Sequence, residues 1–199
     1  MLAANLTRNI SYLSLSQLAN YAFPLVVIPY VTRTLGPSAY ALTEFAGVIM
    51  VYFVSVVEFG FFTSATRKVA QVKDDKHELS EVFSAVLSAK VLIMLSALLL
   101  LAILVAVVPK FTENASLIWL SAPIILGTSL NTDFLFLGMQ RAGLIALVNM
   151  LTKGLATVSI FLFIKGPEDY LWLNFINASA TIGLGFILLG IAFKRVEGL

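Results

Sequence analysis

Two lysines and two carboxylates fall where the surrounding sequence is almost wholly apolar: Lys90 in VLSAKVLIMLSALLL, Lys153 in NMLTKGLATVSIFLF, Glu58 in VVEFGFF and Asp133 in LNTDFLFLG. A charge placed in hydrocarbon costs about 2.5–3.5 kcal/mol on insertion scales, so such residues are functional candidates by default. At ~1.5 Å per helical residue, Lys90 and Lys153 lie roughly 16–18 Å from one end of their segments, Glu58 about 12 Å and Asp133 about 6 Å. Glu44 and Arg33 form a further candidate pair, close in sequence near the opposite end. The chemistry these types suggest is a cavity whose lysines and arginines attract an anionic headgroup, with carboxylates that balance charge or couple an ion or proton. The alternative is structural: Glu58 or Asp133 pairs with Lys90 or Lys153, and Arg33 with Glu44, inside a packed bundle.

The first segment adds polar groups without charge. Asn9, Ser16, Gln17 and Asn20 fall within roughly 100° of one another at helical spacing and form a polar stripe. Pro24 and Pro29 follow, each removing a backbone hydrogen bond and favouring a kink. This pattern fits a bendable helix that lines and gates a cavity, or a helix whose stripe packs on its neighbours through interhelical hydrogen bonds. Ser179, Gly183 and Gly185 form a small-residue stripe that permits close helix approach. The chain has no cysteine and a single histidine, His77, which removes disulfides, thiolate nucleophiles and His- or Cys-based metal sites from consideration. Asp74, Asp75 and Glu78 lack a second acidic motif and read as part of a solvated loop with a basic, headgroup-facing edge. No cofactor, metal or nucleic-acid partner is expected.

The elements that must position these residues are membrane helices. The chain has 199 residues, 59% hydrophobic and 12% charged, with mean hydropathy +0.95. Soluble domains carry about 25% charged residues. Six segments, at residues 9–32, 38–66, 79–108, 115–137, 142–164 and 170–193, each reach the ~20 apolar residues that span a bilayer. Backbone groups in lipid must be satisfied internally, so the spans are predicted as helices in one all-α, six-span bundle covering residues 1–199. The first segment is too polar and too long for a signal-peptide core and is expected to remain as a span. RTLGP, VPKFTEN and KGPED each hold a proline and read as turns. Arg8, Arg67, Lys68, Lys73, Lys76, Arg141, Lys194 and Arg195 fall on one side, against Arg33, Lys110 and Lys165 on the other. The positive-inside rule places the richer side, with both termini, in the cytoplasm. The loops are too short to hold a soluble catalytic domain, and candidate nucleophiles are lacking, so a non-enzymatic role is expected.

Four runs carry a family resemblance: PLVVIPYVTRTLGPSAYALTEFA, VVEFGFFTSATRKVA, ELSEVFSAVLSAK and FLFIKGPEDYLWLNFI. They resemble the N-terminal half of polysaccharide (O-antigen, Wzx-type) flippases, in the superfamily that includes lipid II flippases and multidrug exporters. Two departures stand out. Ala41 occupies a position where the family often has glycine, and residues 134–140 (FLFLGMQ) lack the family's frequent Trp, Gln and Glu. The resemblance implies a lobe that flips undecaprenyl-diphosphate-linked oligosaccharide across the bacterial inner membrane by alternating access. It implies that Arg33, Arg67, Lys90 and Lys153 attract the diphosphate, that Glu58 and Asp133 balance or couple charge, and that the first span bends. The family uses twelve or more helices. A second six-helix lobe or a self-associated copy is therefore an expected partner, beside bilayer lipid and the lipid-linked oligosaccharide. The rival readings are a lobe of a cation-coupled multidrug exporter and a non-transporting truncated or scaffold membrane protein.

Overall fold

The computed structural model of the chain describes the backbone of residues 2–58 and 60–197, and the side chains of residues 11–195 except Leu13, Leu15, Ser16, Ala19 and Phe59. The described residues form helices and turns with no strand. The helices are α1 (Leu2–Glu58), α2 (Phe61–Val72), α3 (Lys76–Val107), α4 (Pro109–Glu113), α5 (Ala115–Ser121), α6 (Pro123–Leu130), α7 (Asp133–Gly138), α8 (Ala142–Phe163) and α9 (Tyr170–Glu197). Among the described residues, five helical stretches are long and apolar enough to cross a membrane, and the first of them, Asn20–Val72, runs through two of the six predicted segments.

The helix breaks are placed by local chemistry. In α1 the backbone keeps helical dihedrals through Pro24 and Pro29, and its non-helical residue is Gly36, at φ 78° and ψ 164°. The helical ladder breaks at Gly36, because only glycine adopts that region without strain. Pro37 then opens the second arm, a position where its missing N–H costs nothing. RTLGP is thus a one-residue kink between two helical arms, with no open loop.

The predicted second span, residues 38–66, ends earlier. Gly60 sits at φ 79° and ψ 0° and caps a separate helix, α2. The sequence of α2, FFTSATRKVAQV, is amphipathic. Ala65, Val69 and Val72 are buried, while Arg67, Lys68 and Gln71 are exposed. The predicted fourth span, residues 115–137, is three short helices. Pro123 starts α6, and the chain unwinds at Asn131 and Thr132 before α7. The VPKFTEN turn contains the short helix α4, and KGPED a 3-10 turn at Pro167–Asp169.

Three clusters hold the bundle. Met50, Phe53 and Val57 of α1 pack with Met94 and Leu101 of α3 and with Ile118 and Ile125 of α5 and α6. Val69 of α2, Phe83 of α3, Phe136 of α7, Ile145 of α8 and Leu188 of α9 form a second cluster at one end. Val31 and Leu35 of α1 pack with Ile160 and Ile164 of α8 and Leu173 of α9 at the other. Among membrane helices lipid tails are as apolar as leucine, so close packing and polar contacts supply what burial alone does not. Gly127 of α6 meets the backbone of Thr181 and Ile182 of α9, and Gly185 meets Gly127. Of the small-residue stripe, Gly185 thus makes a close helix contact. Gly183 and Ser179 instead border a groove between α8 and α9. Asn174 of α9 adds a buried polar tie, its amide donating to Ser121 Oγ at 2.7 Å and Thr43 O at 3.2 Å.

Candidate functional site

The four intramembrane charges fall into two separate places. Lys90, 3% exposed, is buried on α3. Its ammonium lies 3.7 Å from Glu58 Oε1 and donates to Asn131 O at 3.0 Å. Both partners sit at helix breaks. Glu58 is the last residue of α1, before Gly60, and Asn131 lies between α6 and α7. A helix that ends inside the bilayer leaves carbonyls without an intrahelical donor. The Lys90 ammonium supplies one.

The second break has a local cause. The Asn131 side chain donates to Asp133 Oδ2 at 2.9 Å and accepts from the Asp133 N–H at 3.0 Å. Such side-chain bonds compete with the helical ladder. Asp133 Oδ1 and Thr132 Oγ1 are buried with no hydrogen-bond partner among the described residues. The space shared by Glu58, Lys90, Asn131 and Asp133 is about 140 Å³.

Lys153 lies elsewhere. It is half-buried on α8 and donates to the Asn20 side-chain oxygen on the first arm of α1. Among the described residues Lys90 pairs with Glu58, and on the exposed face of α3 His77 lies 3.5 Å from Glu81, while the Lys153 charge is held by a neutral amide. It borders a cavity of about 300 Å³ between both arms of α1, α8 and α9. Pro24 and Val27 line it from the first arm, and Tyr40 and Glu44 from the second. The Tyr40 hydroxyl faces the Glu44 carboxylate one helical turn away. Small-molecule sites occupy roughly 300–1,000 Å³, with apolar walls and a few placed polar groups. The Lys153 cavity reaches the lower end of that range, and the Lys90 space does not.

The remaining predicted residues divide clearly. Glu44 borders the Lys153 cavity, but Arg33 does not, and the alternative Arg33–Glu44 ion pair is not formed among the described residues. Both side chains are exposed. Arg67 lies on the exposed face of α2, away from both cavities. Of the polar stripe, Asn20 meets Lys153 and Gln17 is exposed, while the side chains of Asn9 and Ser16 lie outside those described. Pro24 lines the cavity and Pro29 does not. Weighing charges alone misses Asn131 and Thr132, whose signal in the sequence is Asn-Thr-Asp interrupting an apolar run. Asn177 and Thr181, which line the Lys153 cavity from α9, carry no comparable signal.

Residues 6–198 match the family model described as "Polysaccharide biosynthesis protein". One relative, from Escherichia coli (strain K12), is 31% identical over 187 residues, which are 94% of this chain and 45% of the relative. Another, from Shigella dysenteriae, is 26% identical over 184 residues, 92% of this chain and 45% of the relative. Each is described as a "Putative O-antigen transporter". The chain spans about half the length of these curated relatives. No solved structure matches it. The resemblance carried by PLVVIPYVTRTLGPSAYALTEFA and the other three runs is borne out, and with residues 6–198 matched the chain belongs to the polysaccharide biosynthesis protein family.

Proposed function

We propose that the chain forms one six-span wall of a flippase for lipid-linked oligosaccharide in the bacterial inner membrane, and that Lys153 receives the anionic diphosphate. The observation that carries this reading is the Lys153 ammonium, bonded to the neutral Asn20 amide and bordering a cavity of about 300 Å³. A cation with no carboxylate at ion-pair distance among the described residues, in a cleft whose Glu44 carboxylate is exposed on the second arm of α1, attracts an anionic ligand. Lys90 is assigned a different part. Glu58 neutralises it and the Asn131 carbonyl occupies it, so it holds the helix breaks together. Glu58 and Asp133 balance its charge, and the buried Asp133 Oδ1 is the place where a proton or ion would couple. Arg33 and Arg67, both exposed, meet lipid or substrate headgroups at the two membrane faces.

The test is binding of a polyprenyl diphosphate by the purified chain in nanodiscs. Lys153→Gln is expected to weaken binding about tenfold, the loss of one charge-assisted contact of about 1.4 kcal/mol. Lys153→Arg keeps the charge and is expected to retain most of it. Equal affinity in wild type and Lys153→Gln would remove the assignment.

A further inference from the structure

A second cavity, of about 440 Å³, runs between α8 and α9 on the far side of their seam from Lys153. We propose that this groove holds the polyprenyl tail of the same lipid whose anionic head sits at Lys153. The inference rests on the proposed function and extends it to the lipid part of the substrate.

Three observations carry it. The first is continuity. Ala156 of α8 and Ala180 of α9 border both cavities, so the two spaces adjoin along the seam of those helices. The second is polarity. Lys153 and Glu44 mark the first cavity as a site for charge. Hydroxyls on the α8 wall of the groove are turned back onto their own helix, Thr152 Oγ1 to Val148 O at 2.9 Å and Ser159 Oγ to Leu155 O at 2.8 Å. That wall keeps its donors to itself and suits hydrocarbon. The third is shape. Small residues on both helices, Ala156, Ser159, Ser179 and Gly183, leave notches along the groove. A Cβ added at Gly183 would meet nothing within 4 Å. A chain with a methyl branch on every isoprene unit fills such notches by van der Waals contact. At one end Trp172 stacks on Phe163 with centroids 6.2 Å apart and meets Phe175 edge-on at 5.7 Å, which gives the groove an aromatic stop. An amphiphile with a diphosphate head and a branched apolar tail matches both halves at once.

Trp172 is also the reporter. The chain has two tryptophans, and Trp119→Phe leaves Trp172 alone. In nanodiscs of unlabelled lipid, a polyprenyl diphosphate brominated on its tail is expected to quench Trp172 saturably. Brominated phosphatidylglycerol at the same mole fraction should quench it only as bulk lipid does. Ser179→Leu and Gly183→Leu, which fill the groove, are expected to abolish the additional quenching and weaken long-chain binding about tenfold, or about 1.4 kcal/mol. Inorganic diphosphate, which has no tail to place in the groove, should bind these variants as it binds wild type.

Lys153-dependent binding of the long-chain probe without Trp172 quenching, and indifferent to either leucine, would overturn the groove and leave the head site standing. Equal quenching by the phospholipid would reduce the groove to ordinary bilayer contact. Failure of both diphosphates to show Lys153-dependent binding would overturn the head site, and the tail site with it.

Discussion

Among single residues, Lys90 and Lys153 are held by different partners, and the same substitution should separate them. Lys90→Met leaves the Glu58 carboxylate and the Asn131 carbonyl without their donor. Unmaking hydrogen bonds to a buried charge costs on the order of 1–3 kcal/mol. Glu58 is 37% exposed, so solvent recovers part of this. Lys90→Met is therefore expected to lower the thermal midpoint in detergent. The pair Lys90→Met with Glu58→Gln should recover part of the loss, since it removes the Glu58 charge that Lys90 neutralised, while Asp133 stays in the same space. Lys153→Met should leave the midpoint nearly unchanged, because its half-buried partner Asn20 is neutral. A Lys90→Met protein that melts with wild type would show that the pair does not hold the helix breaks.

Between elements, α6 crosses α9 at backbone contact. A Cβ at Gly127 would lie 2.6 Å from Ile182 N and from Thr181 C, both backbone atoms that cannot swing aside. Gly127→Ala must push the helices apart, an overpacking cost of about 1–3 kcal/mol. Gly183→Ala, on the same α9 but facing the groove, is expected to be neutral. A thermal-shift comparison checks both, and equal midpoints would refute the close-contact account. The element boundaries also separate what hydropathy can read from what it cannot. It locates the apolar stretches, because a run of ~20 apolar residues is what a bilayer crossing demands. It merges the start of α2, residues 61–66, into the second span and reads residues 115–137 as one helix, because a window mean passes over a break made by one glycine or one Asn-Thr pair. Lys90 and Lys153 stand out in the sequence through the cost of their charge. Glu58 and Asn20 stand out too, but which lysine each meets does not, since Asn131 is 41 residues from Lys90 and Asn20 is 133 from Lys153. Those pairings follow from tertiary packing, and no local spacing encodes them.

For the molecule as a whole, charge and cavity together predict orientation and the exporting unit. Val69 of α2, Phe83 of α3, Ile145 of α8 and Ala192 of α9 share one cluster. That gathers Arg67, Lys68, Arg141, Lys194 and Arg195 at one end of the bundle. The positive-inside rule predicts that this end faces the cytoplasm. The chain has no cysteine, so His77→Cys is a clean probe: an impermeant thiol reagent should leave it unlabelled in intact cells and label it after permeabilisation. Labelling from outside would invert the topology. The Lys153 cavity is lined by α1, α8 and α9, and its residues Pro24 and Glu44 are exposed. For the flippase proposed above, alternating access requires a second body that rocks against this wall and closes the site from each side in turn. The 199-residue polypeptide, which spans 45% of its relatives' length, is thus expected not to restore surface glycan in a strain lacking its O-antigen transporter. Joined to a second six-span unit, it is expected to do so. Restoration by the 199-residue polypeptide alone, with no dimer captured by crosslinking, would show that one wall suffices.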